Sequence, residues 1–130
     1  MTLAERQNQM IEAINALGDC FDQYSYLLIK AQELAGLPED RKTAEALIPG
    51  CQSQVWLYVW RENGRIRFEG DSDTLILRGV LKILMELLDG QSAEEVAGLP
   101  VRLFQETELA ATFTSDRNTG VRSILKRIQS

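Results

Sequence analysis

Apolar residues recur at helical spacing through the first third of the chain, then switch to strand-like alternation before returning to helical spacing for the rest. Thr2-Leu3-Ala4-Glu5 has the form of a capping box, and Leu3, Met10, Ile14 and Leu17 trace one face of a helix predicted to end at Gly18. Asp19 is placed to cap a second helix, in which Phe21, Tyr24, Leu28, Ala31 and Ala35 share a face until Gly36 and Pro38 stop it. Residues 38–45 are charged and aperiodic, which predicts a surface loop joining a helical hairpin to a sheet.

The sheet begins with a short strand at 46–48, ended by Pro49, whose missing N–H suits a strand terminus. Residues 55–60 are apolar on both alternating faces, so that strand is expected to be covered on both sides. Asn63-Gly64 is a strong hairpin signal, and 65–69 alternates with Ile66 and Phe68 inward, giving an antiparallel meander of three strands. Gly70-Asp71-Ser72-Asp73 is expected to close the sheet and cap the longest helix, with Ile76, Val80, Ile83, Leu84 and Leu87 as its apolar stripe and Gly79 marking a close backbone approach. A short helix follows Ser92, one or two helical turns occupy 101–113, and a final helix begins near Thr114 with Val121, Ile124, Leu125 and Ile128 inward. Lys126 and Arg127 suit the negative end of that helix. The predicted class is α+β in two layers, a small three-stranded sheet packed against helices, with residues 1–130 as one domain.

Composition narrows the chemistry. At 130 residues and 45% hydrophobic content the chain has a core of ordinary size to bury. Its net charge of -5, with no basic block, lacks the electrostatic footprint of a nucleic-acid binder. No apolar run reaches membrane-spanning length and the start of the chain lacks a secretory pattern, so the expected compartment is the cytoplasm, with neither membrane nor nucleic acid as a partner. Histidine is absent, which removes Ser-His-Asp and Cys-His nucleophilic machinery and His-containing metal sites. Cys20 and Cys51 are far apart without Cys-x-x-Cys spacing, so free thiols and no metal centre are expected.

Cys20 falls in the first turn of the second helix, where a packing role outweighs that of a helix-stabilised thiolate. Cys51 has a different address. It follows the Pro49-Gly50 turn and precedes the polar trio Gln52, Ser53 and Gln54, at the rim of an element. A free thiol with a pKa of about 8.5 is only slightly ionised at neutral pH, and no general base neighbours Cys51 in sequence. On residue chemistry alone, a functional thiol and a buried structural cysteine both remain open.

Gly50-Cys51-Gln52-Ser53-Gln54-Val55-Trp56, then Gly70-Asp71-Ser72-Asp73, Arg78-Gly79, and finally Ser115, Arg117 and Gly120 resemble the SufE/CsdE family of cysteine desulfuration proteins, in the same order over nearly the whole chain. The resemblance implies a SufE/NifU-like fold and sulfur relay in iron–sulfur cluster assembly. It implies a partner, a pyridoxal-phosphate cysteine desulfurase of the SufS or CsdA kind, whose turnover the protein stimulates, and a downstream iron–sulfur scaffold. Relay to another pathway such as tRNA thiolation, or a free-standing thiol enzyme, is the alternative. The chain itself would be an accessory protein, not an enzyme, with no cofactor of its own. Cys51 occupies the position of the acceptor cysteine that takes the terminal sulfur of the desulfurase persulfide. Gly50, Gln52, Ser53 and Gln54 would form a loop that swings out or, alternatively, a rigid turn. Asp73 would hold the resting loop, cap the helix, or both. Arg117 matches an arginine placed near the acceptor cysteine and the partner surface, with a solvated first-turn arginine as the alternative. Pro49, at a position often polar in the family, would stiffen the start of the loop.

Overall fold

The computed structural model describes residues 1–49 and 53–130. Among them, five α-helices surround one antiparallel hairpin: α1 (Leu3–Asn15), α2 (Cys20–Glu33), β1 (Val55–Glu62), β2 (Arg65–Ser72), α3 (Leu75–Leu88), α4 (Ala93–Gly98) and α5 (Ser115–Gln129). The class is α+β as expected, but the sheet has two strands among the described residues, not three. The third strand expected at 46–48 shrinks to one bridge, Leu47 to Trp56, held by Ile48 N–H on the Val55 carbonyl (2.8 Å) and Leu57 N–H on the Ala46 carbonyl (2.9 Å). A turn just upstream, where Leu47 N–H reaches the Thr43 carbonyl (3.2 Å), curls the chain on one side, and Pro49 has no N–H to extend pairing on the other.

The hairpin forms where the sequence predicts it. Asn63 and Gly64 adopt φ of 53° and 76°, the left-handed pair that a two-residue turn needs to match strand twist. Registration runs without a bulge from Glu62–Arg65 to Val55–Ser72. Val55, Trp56 and Leu57 are buried, whereas Trp60 is 41% exposed, so only the first half of β1 is covered on both faces. One face joins the main core; the other packs Trp56 against Leu37 and Ala46 in a small second cluster.

α3 is the central helix, with nine buried residues, although α5 is one residue longer. It crosses α2 closely because a Cβ at Gly79 would collide with the Leu27 carbonyl, the approach expected at that glycine. The cap of α3 differs from expectation. Gly70, Asp71 and Ser72 belong to β2, and Thr74 occupies the N-cap without a side-chain bond.

The inward faces of α1 and α2 are rotated from the predicted ones. α1 buries Leu3, Gln7, Ile11 and Ile14 and ends at Asn15, short of the predicted Gly18, so that Leu17 lies past it and is 45% exposed; α2 buries Gln23, Leu27 and Ala31 and leaves Phe21 77% exposed. Two buried glutamines explain the rotation, because each supplies hydrogen bonds to a segment that makes few of its own. Gln7 donates to the Pro100 carbonyl (3.1 Å) and accepts from Arg102 N–H (2.8 Å). Gln23 donates to the Gly18 carbonyl (3.2 Å) and accepts from Glu108 N–H (2.7 Å). Residues 101–113 accordingly settle as isolated turns pinned to the helical hairpin, with Gln105 N–H and Glu106 N–H both on the Arg102 carbonyl, in line with the short helical turns expected.

Candidate functional site

The segment bearing Cys51 is framed by described residues on both sides. Gly50, Cys51 and Gln52 themselves, three of the residues assigned to the site from sequence, lie outside the described residues. Before them, Ile48 is buried and tied to Val55, and Pro49 is exposed. After them come Ser53, half-buried, and Gln54, exposed.

Gln54 is gripped by its main chain. Its N–H donates to Asp73 Oδ1 (3.0 Å), and its carbonyl accepts from Ser72 Oγ (2.7 Å) and from Asp73 N–H (3.2 Å). Ser72 Oγ also accepts from Thr74 N–H (3.2 Å), so one hydroxyl links the end of β2, the start of α3 and the residues following Cys51. Asp73 accepts the Gln54 N–H, and the N-cap position of α3 falls to Thr74. Sequence reasoning marks Ser72 only as a capping residue and misses this role. Counting outward from Asn63-Gly64 residue by residue sets Gln54 opposite Asp73, a signal already present in the hairpin register.

The grip rests on a buried charge one residue upstream. The Asp71 carboxylate accepts from Leu37 N–H (3.0 Å) and from Ser72 N–H (2.8 Å), pairs with Arg78, and lies 3.6 Å from Lys42. Burial pushes this carboxyl up, but the two N–H bonds and the charges of Arg78 and Lys42 together outweigh it and hold Asp71 below the usual carboxylate range. Arg78 also donates to the Leu34 carbonyl (2.9 Å), and Lys42 stands over the Trp56 ring at 5.2 Å. The end of β2, the 34–46 segment and α3 are thereby locked together beside Gln54.

Arg117 stands on another side of α3. It lies in the first turn of α5, capped through Thr114, and lines a cavity of about 330 Å³ with Cys20, Phe21, Tyr24, Ile76 and Thr112. Its Nε is buried without a hydrogen-bond partner among the described residues. No hydrogen bond or ion pair joins it to Gln54 or Asp73 among the described residues; the link runs through the first turn of α3, where Ile76 borders the same cavity three residues after Asp73. Cys20 is half-buried at this cavity and is a free thiol. A second cavity, of about 390 Å³, lies against Ile48 and Pro49 and is walled by Lys126 and Arg127. Arg127 donates to the Ala46 carbonyl (2.9 Å), so its guanidinium ties α5 to the bridge before Cys51 in addition to its place at the helix's negative end. Among the described residues, no three His, Cys, Asp or Glu side chains gather as a metal site.

These features define a small α+β protein in which the described residues on either side of Cys51 are held by main-chain hydrogen bonds at the end of a hairpin. The chain belongs to the SufE family, the Fe-S metabolism associated domain, which matches residues 8–130. It is 36% identical over 127 residues to an uncharacterized SufE-like protein of Rhizobium etli, covering 94% of this chain and 86% of that one. It is also 36% identical over 109 residues to the sulfur acceptor protein CsdE of Escherichia coli, covering 82% and 74% respectively. The fold is shared with the solution structure of a hypothetical protein from Thermus thermophilus, with a TM-score of 0.77, 22% identity, and coverage of 95% of this chain and 90% of that one.

Proposed function

We propose that this protein is a sulfur acceptor that receives persulfide sulfur on Cys51 from a cysteine desulfurase and passes it into iron–sulfur cluster assembly. The observation that carries the reading is the family match across 8–130, including a relative named as a sulfur acceptor, together with the string Gly50-Cys51-Gln52-Ser53-Gln54, which is flanked by the bonded residues Ile48 and Gln54. The Cys51 thiolate attacks the terminal sulfur of the desulfurase persulfide. A new S–S bond forms on Cys51 as the donor's S–S bond breaks, the donor cysteine leaves as thiolate, and the terminal sulfur remains on Cys51 as a persulfide. Sulfur moves as a neutral atom, so no outside oxidant or reductant enters. The chain has no histidine, and acid–base assistance comes from the partner's site.

Asp73 and Ser72 keep Gln54 in register with the end of β2 while leaving it solvent-exposed. Arg117, whose Nε has no partner among the described residues, is a docking group for the desulfurase. The protein raises desulfurase turnover by removing the product sulfur, works in the cytoplasm, needs no cofactor of its own, and delivers sulfur to an iron–sulfur scaffold.

The test is incubation with a cysteine desulfurase, pyridoxal phosphate and free cysteine, followed by intact mass measurement and peptide mapping. One added sulfur on Cys51 and faster alanine release are expected, and a folded Cys51→Ser variant loses both. Undiminished stimulation by that variant would refute relay through Cys51.

A further inference from the structure

Charge is unevenly spread over this chain. α5 carries four of its 14 basic residues, Arg117, Arg122, Lys126 and Arg127, against one acidic residue, Asp116, while the whole stands at -5. Lys30, Arg41, Lys42, Arg67, Arg78 and Arg102 each meet a carboxylate, but among the described residues none of the four cations of α5 does. The negative end of the helix accounts for Lys126 and Arg127 in the last turn and does nothing for Arg122 farther up. Arg122 and Lys126 are both exposed and stand four residues apart, a like-charge spacing that disfavours a helix.

This charge meets a concave surface at the cavity of about 390 Å³ beside Ile48 and Pro49. α5 supplies Ser123, Lys126 and Arg127, Ser130 follows them, and no acidic residue borders the cavity. Arg127 is fixed by one corner, its Nη1 lying on the Ala46 carbonyl (2.9 Å) and the Leu57 carbonyl (3.5 Å), and its Nε and Nη2 make no hydrogen bond among the described residues. A guanidinium held in this way presents a preset fork to a carboxylate. Lys126 Nζ has no bonded partner among the described residues, and Arg122 gives one N–H to Thr119 (3.0 Å). The three charges lie within about 8 Å along the helix axis, a spread that suits several carboxylates on one protein surface better than one small anion. Pro49, two positions before Cys51, lines the same cavity, so a protein seated there touches the start of the segment that receives sulfur.

We propose that this cavity, with Arg122 one turn up the helix, seats an acidic surface segment of the cysteine desulfurase. The inference rests on the sulfur-acceptor reading above and names the contact through which the donor is held. Nucleic acid, the other polyanion that a basic helix could meet, is disfavoured by the negative charge of the rest of the chain. Opposite charges across the contact speed the encounter and fix its orientation, and salt weakens both effects.

Carbodiimide treatment of the complex with the desulfurase that loads Cys51, followed by peptide mapping, is expected to join Lys126 to an aspartate or glutamate of the desulfurase and to leave Lys82 on α3 unlinked. Arg122→Glu/Lys126→Glu raises the acceptor concentration for half-maximal stimulation about tenfold and flattens its dependence on salt. Arg65→Glu/Lys82→Glu makes the same change in net charge elsewhere and moves that concentration less than about twofold. Thermal unfolding checks the fold of each variant, and the cross-link decides the matter if Arg122→Glu/Lys126→Glu misfolds. Cross-links confined to other lysines, or a folded Arg122→Glu/Lys126→Glu variant as effective as wild type at every salt concentration, overturn the docking surface while relay through Cys51 stands. A wild-type chain that takes up no sulfur from the desulfurase refutes the sulfur-acceptor reading itself, and the docking surface with it.

Discussion

Replacing Asp71 with asparagine removes one negative charge and nearly nothing else, which makes it a sharp probe of the lock beneath the loop. In the native chain Asp71 Oδ1 serves Ser72 N–H and Arg78, while Oδ2 serves Leu37 N–H and faces Lys42. An amide keeps one oxygen. Whichever way it turns, its NH₂ confronts either the buried Leu37 N–H or the Ser72–Arg78 pair. A buried N–H left without an acceptor costs about 1–3 kcal/mol. The lost pairing with Arg78, 23% exposed and so partly screened, adds about 1 kcal/mol. The sum is about 3 kcal/mol, or a fall in Tm of about 10 °C for a chain of this size. Chemical denaturation and calorimetry measure it directly. The pH dependence carries a second signature. Because the folded-state pKa of Asp71 is depressed, its contribution is fully present above the unfolded value of about 3.9 and is lost as pH falls through the folded value. The stability gap between wild type and Asp71→Asn is therefore constant near neutrality and narrows in acid. A gap below about 1 kcal/mol at pH 7, or one that widens in acid, would refute the reasoning.

Three further substitutions probe the same frame. Asp73→Ala frees Gln54 N–H at an exposed position, so stability drops by only about 0.5–1 kcal/mol, while alkylation of Cys51 accelerates relative to Cys20; unchanged relative rates would refute a hold on the loop. Gly79→Ala gains helix propensity but drives a methyl into the Leu27 carbonyl, for a net loss of about 2 kcal/mol in denaturant unfolding; a stabilised variant would show that α2 and α3 separate freely. Gln23→Ala strands Glu108 N–H and costs about 2 kcal/mol, with faster amide exchange concentrated in residues 101–113; uniform exchange would rule out the local role.

Short-range chemistry is the legible part of this chain. The capping box at Thr2, the cap at Asp19, the Asn63-Gly64 turn and the crossing at Gly79 all depend on residues whose backbone preferences declare themselves locally. What depends on distant partners is not legible in the same way. Phe21 fits a helical stripe but is exposed, because Gln23 takes the inward face of α2 to satisfy a backbone group 85 residues away in sequence, and Gln7 does the same in α1. Gly70-Asp71-Ser72-Asp73 resembles a capping segment by composition, yet Asp71 is drawn into β2 by Arg78 and Leu37, contacts that no periodicity encodes. For the candidate site, the pairing of Gln54 with Asp73 can be counted from the turn, whereas the placement of Arg117 beside Cys20 cannot, since it follows from how α5 and α2 meet around the first turn of α3.

Asp73 and Ser72 hold Gln54 by its amide and carbonyl, groups that every residue except proline carries in full. The grip is blind to the side chain at position 54. That side chain is left unencumbered at the surface, one step from the strand and three from the thiol in sequence, where its identity can be tuned to whatever protein the loop meets without loosening the anchor.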